Sequence, residues 1–360
     1  MSAVKKVVKK SVAAKAAKST VAKRAATRKK LAEDVPQLSV PVTPSEAPSA
    51  SAPAAPPAAP AGRFKWLPLA ILGVVAVLVV VETAVLLKNK SDRQRTLTEA
   101  GAFGERGGQQ RPEAYQGAIA MKCGGDDRLY LVDPEWNQVV VYDTKASKPI
   151  MALDRKAAGT DEYTPVDAAA TRDNTAVVLD RMHQKVYVFS PEGSLVTSFA
   201  AANGTAIAAG EKEIFVSDNN RMQIVKYSLE GRELQRIGAP GTGKGKLSSP
   251  GKLGVDAAGN VFVINSGNNR VEAYGPDGKF TANWPFNFKP NSLLGIAVHE
   301  EIYLNDFDGG CLWAYTKSGK LAGQIKIAYP SNMAVDSQGN FYLPTATGVS
   351  RYVQNRAGDE

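Results

Sequence analysis

Along residues 250–280 the apolar positions alternate with polar ones. Val261, Val263, Val271, Ala273 and Phe280 recur in runs of β-formers, and two turn signals, Ala-Ala-Gly-Asn at 257–260 and Gly-Pro-Asp-Gly at 275–278, punctuate them. This pattern predicts strand, tight turn, strand, loop, strand, turn, strand, with each strand turning one apolar face into a sandwich between neighbouring sheets. A single four-stranded sheet of this size cannot bury both its faces, so the stretch calls for stacked copies.

The copies appear when the end of the second strand is used as a ruler. An Asp or Asn closes that strand and an aromatic follows nine residues later: Asp133 with Tyr142, Asp180 with Phe189, Asp218 with Tyr227, Asn265 with Tyr274, Asp306 with Tyr315. A sixth copy, from Pro330 onward, keeps the opening turn and the final aromatic Tyr352 but is two residues shorter between them. The copies recur every 38 to 47 residues, the period of a four-stranded propeller blade. The expected fold is therefore all-β, a six-bladed β-propeller.

The repeat GVDAAGNVFVINSGNNRVEAYGPDGKF, residues 254–280, resembles the NHL-repeat family of β-propellers in its first strand, its Gly-Asn turn, its Asn-Asn-Arg loop and its Pro-Asp-Gly turn. A second Asn-Asn-Arg stands at 219–221, but Arg221 lies six residues before Tyr227 whereas Arg270 lies four before Tyr274. The resemblance spans roughly residues 95–355, with one strong repeat and five weaker ones, and implies the fold more directly than a function. RTLTEAGAFG at 95–104 aligns with RELQRIGAPG at 232–241, the fourth strand of the third copy and the loop behind it. The sixth copy runs out after its third strand, so 95–104 is expected to supply the missing outer strand and close the ring.

Charge divides the chain before any motif does. Residues 1–62 hold eleven Lys/Arg and three acids, whereas residues 88–360 hold 31 of each sign, so the net +9 belongs to the N-terminal part. Residues 1–35 form a Lys/Ala-rich tail with too few large apolar residues to fold alone. Val4, Val7 and Val8 have helical spacing among lysines, which fits weak contact of residues 1–30 with anionic lipid; the tail also resembles the basic tails of linker histones, which neutralise nucleic-acid phosphates. A solvated basic arm that only fixes membrane orientation is the third reading. Residues 36–62, rich in Pro, Ala and Ser, read as a disordered linker.

Trp66–Leu87 is predominantly apolar. At ~1.5 Å per residue it spans about 33 Å, enough for a hydrocarbon core of ~30 Å. It is too long and too far from the N-terminus for a cleaved signal peptide, so a signal anchor is expected, followed by a stalk at 88–94. The denser Lys/Arg on its N-terminal side favours a single-pass protein of the cell (inner) membrane, with a cytoplasmic N-terminus and a periplasmic propeller.

Candidate chemistry is sparse. Gly238, Gly243 and Lys244 match Gly-x4-Gly-Lys, but Gly245 follows where a phosphate loop needs Ser or Thr, and the segment joins two strands. The two histidines, His183 and His299, fall in loop classes on opposite faces, and the several zinc-binding histidines of the similar peptide-amidating lyases are missing. No metal or cofactor is expected. Cys123 and Cys311 lie in non-adjacent blades and read as two buried thiols, not a disulfide.

The loops joining second to third strands gather the remaining side chains on one face. Trp136, Asn137, His183, Asn219, Asn220, Arg221, Asn268, Asn269, Arg270, Phe307 and Asp308 are the candidate binding residues, since exposed aromatics, amides and guanidinium groups on a rigid scaffold suit partner recognition. The competing reading is that the Asn and Arg groups only knit loop backbones. Two functions follow. One is a membrane-anchored scaffold or sensor that binds a protein, a peptide or another extracytoplasmic ligand, similar in arrangement to bacterial receptors carrying an NHL propeller beyond one span. The alternative is a metal-dependent propeller enzyme of lyase or lactonase type.

Overall fold

The computed structural model describes residues 94–103, 120–125, 128–286, 293–327, 332–345 and 348–355. All of them belong to one compact unit, Pro68–Glu360. The tail, the linker and the apolar segment 66–87 lie outside the described residues. Among the described residues no helix is long and apolar enough to cross a membrane.

The described chain is all-β apart from the four-residue helix Arg155–Ala158 and one 3₁₀ turn, Ser266–Asn268. Four sheets have four antiparallel strands each, taken in chain order. The first runs Ala120–Cys123, Arg128–Asp133, Gln138–Asp143, Lys148–Leu153, and the second Pro165–Ala170, Ala176–Asp180, Lys185–Phe189, Leu195–Ala200. The third runs Gly204–Ala209, Glu213–Asp218, Gln223–Ser228, Glu233–Ile237, and the fourth Pro250–Val255, Val261–Asn265, Arg270–Tyr274, Phe280–Pro285. In all four, the second strand ends on the Asp or Asn that marks the repeat.

The remaining strands form one eight-stranded sheet. Its first half, Leu293–Val298, Ile302–Asp306, Cys311–Tyr315 and Leu321–Lys326, has the same meander. Its second half holds Ala334–Val335, Phe341–Pro344 and Val349–Asn355, and there the chain's early strand takes the outer place: Gln94–Phe103 pairs antiparallel with Val349–Asn355, from Thr96 opposite Asn355 to Phe103 opposite Val349. At its start the same strand pairs in parallel with the neighbouring half, Gln94 opposite Gln324 and Arg95 opposite Ile325. Two chain regions about 250 residues apart thus share one hydrogen-bonded edge, which leaves neither with an open edge there.

The first strands touch one another in chain order, and Ala334–Val335 in turn touches Ala120–Cys123. Each neighbouring pair of sheets buries its own apolar cluster. Tyr130, Val139 and Val141 meet Val178, Tyr187 and Phe189 between the first and second sheets, and Met121, Leu129 and Tyr142 meet Ala334, Tyr342 and Val349 where the last group returns to the first. Each Val, Leu, Phe or Met among them contributes about 1.5–3 kcal/mol of hydrophobic burial. The second strands therefore differ from the expected alternation: Ala176–Asp180, Val261–Asn265 and Ile302–Asp306 are buried at every residue. Both faces of each sheet are covered by neighbours, so polar residues are driven to strand ends.

Candidate functional site

The marker carboxylates anchor the loops that follow them. Asp133 accepts from the backbone N–H of Glu135 and Trp136 at 3.0 and 3.3 Å, Asp180 from His183 at 3.0 Å, Asp218 from Asn220 and Arg221 at 3.0 and 2.9 Å, and Asp306 from Gly309 at 2.9 Å. These carboxylates are buried, and the turns they close are the local bonds that Asp forms readily. The residue four places on is left-handed every time: Asn137 (φ 50°), Gln184 (54°), Met222 (53°), Asn269 (51°) and Gly310 (58°). Asn tolerates that conformation better than most residues, which gives Asn137 and Asn269 a backbone reason for their places.

Two of the side chains three places after the marker turn back toward it. His183 places Nδ1 2.8 Å from Asp180 Oδ2, and Arg221 donates from Nη1 to Asp218 Oδ2 at 3.0 Å, so both fold back on their own carboxylates. Arg221 nevertheless keeps 49% of its side chain exposed. Trp136, Phe307 and Asn219 are half-buried while Asn220 and Asp308 are exposed; Met182, absent from the sequence-based set, is 72% exposed beside His183.

Arg270 behaves differently. It opens a strand opposite Asn265, and its guanidinium pairs with the fully buried Glu272 while donating to the carbonyls of Thr242 and Gly243. Asn268 donates to the carbonyls of Gly241 and Lys246 at 3.0 and 3.2 Å. Together they gather the Gly-rich segment 238–247, whose ends form a short parallel pair, Ala239–Pro240 with Lys246–Leu247. The Gly-x4-Gly-Lys stretch is thus held as a connection between two sheets.

A second group of charged side chains, which the loop-based reading missed, sits on the first strands, where the sheets converge. Lys122 donates from Nζ to the carbonyls of Ile296 and Leu253, 3.0 and 3.4 Å away on two other sheets. Lys252 Nζ lies 3.1 Å from Asp167 Oδ2, and Asp167 is 1% exposed and also accepts from Ile207 N–H at 3.1 Å. Burial, aided by the Lys252 charge and opposed by Asp167, lowers the Lys122 pKa to about 8. A cavity of about 80 Å³ is lined by Lys122 and Cys123 together with Ala169, Ala208, Gly254, Ala297 and Ala334. The lining must be small: a Cβ on Gly254 would stand 2.6 Å from Val298 Cγ2. The signal available in the sequence was Pro165-Val166-Asp167 against Pro250-Gly251-Lys252, opposite charges at equivalent places in two first strands.

Among the described residues no group of three His, Cys, Asp or Glu side chains is placed to hold a metal ion. His299 Nε2 lies 3.0 Å from the Ser337 carbonyl, within a turn linking first and second strands. The two cysteines form no disulfide with each other; Cys311 is buried, whereas Cys123 is half-buried and borders the axial cavity.

With this geometry in hand, the chain was compared with known proteins. It is similar to a streptogramin B lyase structure with a TM-score of 0.54 and 12% identity, covering 71% of this chain and 97% of that one. The fold is that of a β-propeller. The WD40 repeats of RRP9 match with a TM-score of 0.51 at 8% identity, over 72% of this chain and all of that one, and a virginiamycin B lyase from Staphylococcus aureus with a TM-score of 0.51 at 10% identity, over 66% and 81%. In sequence, diisopropyl-fluorophosphatase of Loligo vulgaris is 23% identical over 166 residues, 42% of this chain; the chain spans about half the length of that relative. No family model matches the chain. Likeness at these identities carries the fold and not the activity.

Proposed function

We propose that this chain is a membrane-anchored, six-bladed propeller of NHL type that binds an extracytoplasmic protein or peptide through the loops joining second to third strands. The observation that carries this reading is the repeated loop. A buried Asp fixes the backbone at four of the five marked positions, which presents Trp136, Met182, Arg221, Phe307 and Asp308 from a rigid ring with their outer atoms toward solvent. Such preorganisation lowers the ordering cost of association. The count of six is supported by the sequential contact of the first strands around the axis, and the NHL assignment by the repeat at 254–280.

The anchor rests on the length and apolarity of Trp66–Leu87, and the orientation on the Lys/Arg excess before it. Residues 1–30 would then lie at the cytoplasmic membrane surface, where anionic lipid is a closer and more abundant counterpart than nucleic acid. The names of the lyase and phosphatase neighbours motivate an enzyme as the alternative, but the described loops bring together no acid, base and nucleophile set. In cells stripped of any outer membrane, external protease should digest the propeller and spare an epitope near residue 10. Protection of the propeller with loss of that epitope would end the external reading.

A further inference from the structure

The strand that closes the ring is also where the chain enters it. Gln94–Phe103 begins six residues after the apolar segment 66–87 ends, and its first residues lie opposite Gln324 and Asn355 while Phe103 lies opposite Val349. Val349 directly follows a second-to-third-strand loop, and Asn355 stands at the other end of the same strand. The chain therefore enters at the end of the sheets that carries the tight turns, and Phe103 leaves toward the loop end. Arg95 fixes this entry: its guanidinium pairs with Glu301, in the turn between Leu293–Val298 and Ile302–Asp306, and also donates to the Ala322 carbonyl at 3.4 Å.

Given the membrane anchor proposed for Trp66–Leu87, on which this rests, we infer that the turn face of the ring lies over the bilayer that holds the anchor, and that the second-to-third-strand loops face away from it, open to a partner arriving through the aqueous compartment. Reach decides between the two faces. Residues 88–93 span about 20 Å when fully extended, and a strand of five or six residues, the usual length here, is itself about 17–20 Å long. Turning the loops toward lipid requires the stalk to run taut along the whole height of the ring. Lys88, Lys90 and Arg93 oppose that, because basic side chains beside a membrane span settle at the headgroups and shorten the free reach. The exposed tips of the turn face carry both signs, Lys145, Lys279 and Lys320 beside Glu192, Glu230 and Asp277. The short tether, and not a net field, sets the facing, so lipid charge should not change it.

The test uses the full chain in phosphatidylcholine nanodiscs whose headgroups carry an energy-transfer acceptor, with a donor dye on a non-natural side chain at one position per protein. Positions 277 and 145 report the turn face, and 221 and 135 the loop face, so that a tilt of the ring is read from two sides. A height difference of about 20 Å between the faces should make transfer from 277 and 145 at least about twofold faster than from 221 and 135, with or without added anionic lipid. A flexible linker of about twelve residues inserted after Asp92 should shrink the difference. Equal rates, or faster transfer from 221 and 135, overturn the facing; a difference that needs anionic lipid, or that survives the longer linker undiminished, overturns the tether as its cause. Size-exclusion chromatography reports the anchor separately: a chain that leaves the disc removes the anchor itself, whereas a chain that stays in the disc with its loops toward lipid overturns the facing alone.

Discussion

Lys252 and Asp167 occupy equivalent places in the first strands of two sheets that are not neighbours, and their side chains meet at 3.1 Å across the ring. The pair ties the fourth sheet to the second, while Lys122 ties the first sheet to the fourth and to the first half of the eight-stranded sheet. The axis is held by charge and carbonyl contacts, whereas the spaces between neighbouring sheets are held by apolar packing.

Removing Asp167 should therefore cost more than a surface substitution. Asp167→Ala leaves Lys252 partly buried without its counter-charge and Ile207 N–H without its acceptor, so a loss of about 3 kcal/mol is expected, read by denaturant unfolding. A loss below about 1 kcal/mol would show that the pair is dispensable.

The Lys122 amine gives stability a particular pH dependence. Its folded pKa, about 8, lies below its ordinary value of 10.5, so between these values the unfolded chain binds more protons than the folded one and stability rises with pH. Lys122→Met should flatten that rise. Melting temperatures of both proteins from pH 7 to 10.5 check this.

The shared edge strand makes its own prediction. Arg95 in that strand forms a two-pronged ion pair with Glu301, and Tyr303 donates to the same carboxylate at 3.1 Å. A chain beginning at Pro112 lacks the whole strand, exposing the edges of Val349–Asn355 and Leu321–Lys326, and should aggregate where a chain beginning at Ser91 stays monomeric. Size-exclusion chromatography distinguishes them, and two equally monomeric, equally stable proteins would contradict the closure.

The two arginines of the Asn-Asn-Arg stretches should part company. Arg270→Ala strands the buried Glu272 and should destabilise by about 3 kcal/mol. Arg221→Ala removes a half-exposed guanidinium from Asp218, which is buried but keeps the N–H groups of Asn220 and residue 221, and should cost clearly less than Arg270→Ala. Equal losses of stability on unfolding would remove the distinction.

How much of this was legible can be argued from particular residues. Asp133, Asp180, Asp218, Asn265 and Asp306 each end a second strand, and they were visible because a buried strand end needs a polar side chain to satisfy the turn after it. The alternation at 261–263 was a poorer guide, since Phe262 and Ile264 are buried as well. Neighbouring sheets cover both faces, and only the tertiary arrangement reveals that. The Asn-Asn-Arg residues could be found as a group but not sorted: the same three letters fold back on Asp218 in one sheet and bind the 238–247 loop in another. The Lys122, Asp167 and Lys252 cluster escaped because single charges in short first strands look like ordinary solvent-facing positions until the ring turns those strands toward one axis.

Recognition through the second-to-third-strand loops is tested most directly by a photoreactive side chain placed in the full chain in cells, at Arg221 in one protein and at Asp277 in another. Asp277 lies in a turn at the opposite end of the strands, and 54% of its side chain is exposed, close to the 49% of Arg221. Illumination should join a discrete partner to the protein labelled at 221 and none to that labelled at 277. A discrete product from position 277 with none from 221 would place recognition on the other face and contradict the account.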